Sequence, residues 1–126
     1  MFESLPEAEV LSEMDDAALV AAMVDYARIE AMAGARRLAV IGEFTARRMA
    51  QAEHADWVVD DWAAASAEVG AALNISPGRA GGQMDLALAL RERLPKVAAL
   101  YALGGLAART VAMIVRRTAL VQDTDA

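Results

Sequence analysis

The sequence predicts an all-α protein, and three observations carry that expectation. Alanine fills 31 of 126 positions, runs of strand-favouring Val, Ile, Thr and Tyr are nearly absent, and apolar residues recur at helical spacing through long stretches without proline. The architecture expected is a multi-helix domain with one long N-terminal helix and a helix-turn-helix-like pair near residues 60–94. The length suits one domain of roughly 100 to 150 residues. An alanine-rich core brings helices close but buries little area per residue, so pairing with a second copy is a natural way to cover more.

Residues 1–11 read as an acidic, flexible lead-in containing Pro6. Ser12 stands three residues before Asp15 in a capping-box-like arrangement, in which the serine oxygen accepts from an orphan amide, so a helix is expected from about residue 13. From there to about Gln51 no proline intervenes. Leu19, Met23, Ala27, Leu38, Ile41, Phe44 and Met49 supply the apolar groups, giving one long helix or two broken at Gly34. Along it Arg36 and Arg37 are followed eleven residues later by Arg47 and Arg48, a spacing that returns to within about 20° of the same face. The pairs form an arginine stripe. Solvation, or pairing with acids such as Glu43 four residues before Arg47, accounts for the same pattern.

His54, the single histidine, sits in the polar connection QAEHADW. Glu53, Asp56, Asp60 and Asp61 are near it in sequence, but no zinc or calcium spacing is present and no metal is expected. A second helix is expected over Trp57–Leu73, with Val58, Trp62, Ala65, Val69 and Leu73 at helical spacing and the tryptophans as core anchors.

The stretch Glu68–Ala87, EVGAALNISPGRAGGQMDLA, has the organisation of a helix-turn-helix. A small-residue helix runs into the turn Asn74–Ile75–Ser76, Ser76 suits the N-cap, and Pro77 suits the first helical position. The next helix, roughly 77–94, presents Arg79 and Gln83 near its start while Ala80, Met84 and Ala87 face inward. DNA-binding versions read base edges in the major groove from those early positions. The stretch is similar to the helix-turn-helix of sigma-factor and response-regulator output domains. Against it stand Gly78, Gly81 and Gly82, each loosening the helix by about 1 kcal/mol relative to alanine, and Asp85, an anion near the phosphates. A simple helical corner is the alternative.

Pro95 should break that helix. The apolar segment Val97–Leu103 then ends at Gly104 and Gly105, a suitable C-cap pair. A last helix is expected from about Ala107 to Val121, with Val111, Ile114, Val115 and Leu120 on its apolar side and Arg109, Arg116 and Arg117 exposed. Arg116 and Arg117 are another pair able to meet phosphate. A short tail, residues 122–126, closes the chain after a domain spanning residues 12–121.

Composition excludes several functions. With no cysteine there are no disulfides, thiolate nucleophiles or cysteine zinc sites, which fits a reducing cytoplasm. The N-terminus lacks the basic-then-apolar order of a secretory signal. The longest uncharged apolar run, Val97–Ala108, falls far short of the roughly 20 residues that span a bilayer, so no membrane role is expected. The net charge is −6, but eight of eighteen acids lie in residues 1–30 with only Arg28 opposing them, and the remainder is close to balanced. Overall acidity disfavours nonspecific nucleic-acid binding while leaving room for a local basic face.

The order of a long Ala/Arg helix, EVGAALNIS, and LRERLPKVAALYALGGLAARTVAMIVRRT resembles the actinobacterial domain of unknown function 222, the repeat-element family of mycobacterial genomes. The likeness covers roughly residues 12–124, and its most specific part is Leu73–Arg117. The resemblance implies a helical domain commonly followed by an HNH nuclease module, in which histidines and an asparagine hold a metal and activate water. None of those residues carries over, since His54 and Asn74 lie in the helical part; the chain is expected to be the N-terminal portion alone.

Two functional readings stand. One is a noncatalytic DNA-binding or targeting domain using Arg79 and Gln83, supported by Arg36, Arg37, Arg47, Arg48, Arg116 and Arg117. The other is a helical homo-oligomeric scaffold in which the first helix pairs with a second copy. An enzyme is the weakest reading: no nucleophile–base pair, phosphate loop or metal constellation can be named, and no cofactor or small-molecule substrate is expected. Glu30, set against Arg37, is read as half of a buried ion pair.

Overall fold

The computed structural model describes residues 8–52 and 58–120. His54, Trp57, Glu53 and Asp56, residues 1–7 and the C-terminal tail lie outside them. A short 3-10 turn, Ala8–Glu13, leads into α1 (Asp16–Ala52), followed by α2 (Val58–Leu73), α3 (Pro77–Glu92), α4 (Pro95–Ala102) and α5 (Ala108–Arg117). No strand occurs among the described residues, and none of the helices is long and apolar enough to cross a membrane.

Of the lead-in, residues 8–11 are described, and they belong to this 3-10 turn. Ser12 falls inside the 3-10 turn, which closes through the Met14 amide donating to the Leu11 carbonyl at 3.2 Å. The cap is Asp15 instead, its Oδ1 accepting from the Ala18 amide at 2.8 Å, where a carboxylate also opposes the positive end of the helix dipole.

The first helix is one piece, 37 residues and about 55 Å long. It does not break at Gly34, because good helix formers flank that glycine and the buried Tyr101 of α4 lies directly over it, filling the space a side chain would take. Burial along α1 is uneven. Ala31, Leu38, Ile41 and Thr45 form a buried stripe beneath α2, α3 and α4, with the Thr45 hydroxyl donating to the Ile41 carbonyl at 2.7 Å. Met23 and Ala27, expected to be apolar anchors, are instead exposed; the turn after α4 meets α1 at Arg28 and Met32, where Gly104 lies against them. Glu30 is also exposed and forms no ion pair with Arg37, so the buried pair expected there is absent.

Two helix ends stop in the same way. At the end of α2 the Ile75 amide donates back to the Gly70 carbonyl at 2.9 Å, with Asn74 in the left-handed region at φ 57°. At the end of α4 the Gly105 amide donates to the Leu100 carbonyl at 3.0 Å and Gly104 takes φ +80°. Both are Schellman closures, which satisfy orphan carbonyls and need a residue that tolerates positive φ. Gly70 is required for a different reason: a Cβ there would meet the Ile75 carbonyl oxygen at 2.8 Å.

The centre of the molecule is α3, which packs against both α1 and α2. Ala80, Met84 and Ala87 face inward as their spacing predicts, with Leu90 and Leu94 completing the stripe. Trp62 is half-buried against this core. The last helix is shorter than expected, ending at Arg117. There the Thr118 hydroxyl turns back to the Ile114 carbonyl at 2.7 Å, and the Arg93 guanidinium donates to the Thr118 carbonyl at 2.7 Å. Leu120, expected on the apolar side of α5, is 95% exposed because the helix has already ended.

Candidate nucleic-acid interface

The helix-turn-helix segment is built as its sequence dictates. Ser76 caps α3, its Oγ accepting from the Arg79 amide at 3.2 Å, and Pro77 occupies the first turn, where a missing amide proton costs nothing. That cap orients the exposed Arg79 and, one turn on, the half-buried Gln83 at the N-terminal end of α3.

Both residues line a groove of about 950 Å³ between α3 and α5. Arg37 enters it from α1, Arg116 from α5 and Arg93 from the end of α3, over a floor that includes Leu73, Ile75, Leu86 and Val115. Asp85 and Glu92 lie on the same walls. Four of the eight residues singled out from sequence therefore meet at one surface: Arg37, Arg79, Gln83 and Arg116.

The other four do not. Arg36 and Arg117 are exposed outside the groove. Arg47 donates from Nε to Glu43 Oε1 at 3.0 Å, the i to i+4 pairing its spacing allows. Arg48 donates from Nη2 to Glu68 Oε2 of α2 at 2.8 Å, with its guanidinium 4.8 Å from the Phe44 ring centre. The stripe predicted along α1 is thus divided: Arg37 opens onto the groove, while Arg47 and Arg48 are tied to carboxylates.

Glu43 is the hub of that second cluster. Its other oxygen accepts from Arg91 Nη1 of α3 at 2.6 Å, linking α1 to α3. The hydrogen bonds from Arg91 and then Arg47, reinforced by their charges, hold its carboxyl below the usual glutamate range. A lowered folded pKa contributes stability above the unfolded value that is lost as pH falls through the folded one. Thermal midpoints of the wild type and Glu43→Gln are therefore expected to differ near neutrality and to converge at acid pH, measured by circular dichroism across a pH series. A gap independent of pH would contradict this role.

Sequence reasoning missed Arg91 and Arg93. The run LRERLP holds both, but their partners, Glu43 and the Thr118 carbonyl, are 48 and 25 residues away, and no local pattern announces them. No group of three or more metal-ligating side chains occurs among the described residues.

The model of a domain of unknown function, DUF222, matches residues 25–126. The chain belongs to the DUF222 family. An uncharacterised Mycobacterium tuberculosis protein, Rv2100 of strain H37Rv, is 55% identical over the whole chain, which covers 23% of that relative. Two other uncharacterised M. tuberculosis proteins are each 53% identical over the whole chain: one in the est 3′ region, of which the chain covers 36%, and Rv3776, of which it covers 24%. The chain thus spans about a quarter to a third of the length of these relatives. No solved structure matches it significantly. Nothing in the family or its relatives' names indicates a catalytic activity.

Proposed function

We propose that this DUF222 domain is a noncatalytic nucleic-acid-binding module whose contact surface is the α3–α5 groove. The observation that carries the reading is the meeting of Arg37, Arg79 and Arg116, drawn from three helices, with Gln83 beside Arg79 at the start of the second helix of a helix-turn-helix. Arginines placed this way supply phosphate contacts, and an amide side chain early on such a helix is suited to base edges. The groove's acids, Asp85 and Glu92, limit its net charge and favour a fitted ligand over indiscriminate adhesion to polyanions. In longer relatives the domain would deliver the remainder of the chain, an HNH nuclease by the resemblance, to its substrate.

The test is fluorescence anisotropy of a labelled duplex titrated with the protein at low and moderate salt, beside Arg79→Ala/Gln83→Ala. Binding that weakens with salt and falls in the variant supports the reading; no binding at low salt removes it.

One observation favours a second reading, a self-associating scaffold. In the first half of α1, Val20, Met23 and Val24 are exposed on one face of the helix.

A further inference from the structure

The face of α1 that carries Ala31, Leu38 and Ile41 into the core continues toward the N-terminus through Val20, Met23, Val24 and Ala27, since residues spaced by three, four and seven share a helix face. Among the described residues no element covers this continuation, and Val20, Met23 and Val24 are 56%, 66% and 62% exposed. A helix stripe that is core at one end and bare at the other marks a surface whose partner lies outside the fold. The bare segment is also acidic: Asp16, Asp25 and Glu30 stand against Arg28 alone.

The groove between α3 and α5 has the opposite character. Its floor is apolar, with Ile75, Leu86 and Val115, and its arginines outnumber its acids. A floor of this kind suits the apolar side of a helix, and an arginine rim suits Asp16 and Glu30, which helical spacing puts on or beside that side, with Asp25 on the far one. The two surfaces are complementary in polarity and in charge. They cannot meet within one chain. Arg37 lines the groove, and residues 16–27 run away from it along the same unbroken helix, placing them about 15 to 30 Å along the axis at 1.5 Å per residue.

We propose that the first half of α1 docks into the α3–α5 groove of a second copy, and that two copies exchange these arms reciprocally. The inference deepens the self-association reading and rests on it. Reciprocal exchange closes the assembly as a twofold dimer, whereas arm-to-arm pairing would set one acidic segment against another. The arm occupies the surface assigned above to nucleic acid, so duplex and second copy compete for it.

Sedimentation equilibrium of the wild type, of Val20→Lys/Val24→Lys in the arm, and of Arg79→Glu/Arg116→Glu in the groove tests this without any nucleic acid present. All four side chains are outside the core, so neither variant attacks the fold. The expected result is a wild-type dimer weakened by salt, at least about tenfold weaker self-association in each variant, and recovered association when the two variants are mixed. Mixing restores one contact, because the groove variant keeps a sound arm and the arm variant keeps a sound groove. A monomeric wild type at low salt overturns the proposal, as does a groove variant that dimerises as well as the wild type, or a mixture that stays monomeric. Failure of duplex binding leaves these outcomes untouched, so the two readings fail separately.

Discussion

Replacing Met84 with alanine is expected to lower the unfolding free energy by about 2–5 kcal/mol, the range seen for large-to-small changes at fully buried sites. Met84 is fully buried on α3, the helix that meets both α1 and α2, and Ser66 donates from Oγ to its sulfur at 3.5 Å. Its surroundings include Ala65, Ala80 and Ala87, whose side chains have no rotamers with which to fill a void. The cavity therefore stays open, and for a domain of this size the thermal midpoint should drop by roughly 10 °C or more. Met23→Ala, on the exposed arm, should change stability by no more than about 0.5 kcal/mol. Urea unfolding followed by circular dichroism measures both. Similar costs at the two methionines would show that the core is not centred on α3.

The second large effect concerns binding. Arg79→Glu/Arg116→Glu replaces two cations on facing walls of the groove with two anions, in a place where Asp85 and Glu92 already contribute negative charge. Each arginine contact with phosphate adds about one to the slope of log affinity against log salt. Removing two should flatten that slope by about two, and reversing them adds repulsion, so duplex binding at low salt should fall by two orders of magnitude or more. Anisotropy at several salt concentrations reads both quantities. An unchanged slope would place the phosphates elsewhere.

Much of the fold is legible from sequence because it is written in local chemistry. Ser76–Pro77 starts α3, Gly104–Gly105 ends α4, and the spacing of Ala80, Met84 and Ala87 gives the buried side of α3 without any knowledge of what packs there. Periodicity alone does not say whether a partner exists. Val20, Met23 and Val24 continue the pattern of Leu38 and Ile41, yet only the latter pair is covered, because coverage is decided by tertiary packing that helical spacing does not encode. The N-terminal cap differs from the expected one for a related reason: Ser12 and Asp15 both suit the role, and the Leu11–Met14 turn decides between them.

The candidate site was half legible. Helical spacing groups Arg37 with Arg48, and the residue pairs Arg36–Arg37 and Arg47–Arg48 look alike. Tertiary packing separates them: α2 brings Glu68 to Arg48, and α3 brings Arg91 to the Glu43 that Arg47 also holds. Arg37, Arg79 and Arg116 come from sequence positions far apart, and only the packing of α1, α3 and α5 brings them to one groove.

In the proposed function this groove, rather than the arginine content of the chain, is the binding surface. The most direct test compares Arg37→Ala/Arg79→Ala/Arg116→Ala with Arg47→Ala/Arg48→Ala in duplex titrations across a salt series. The groove variant should lose affinity and flatten the salt slope by about three, while the ion-paired variant stays close to wild type. Equal losses in both would contradict the claim and return the arginines to a diffuse, unspecialised surface charge.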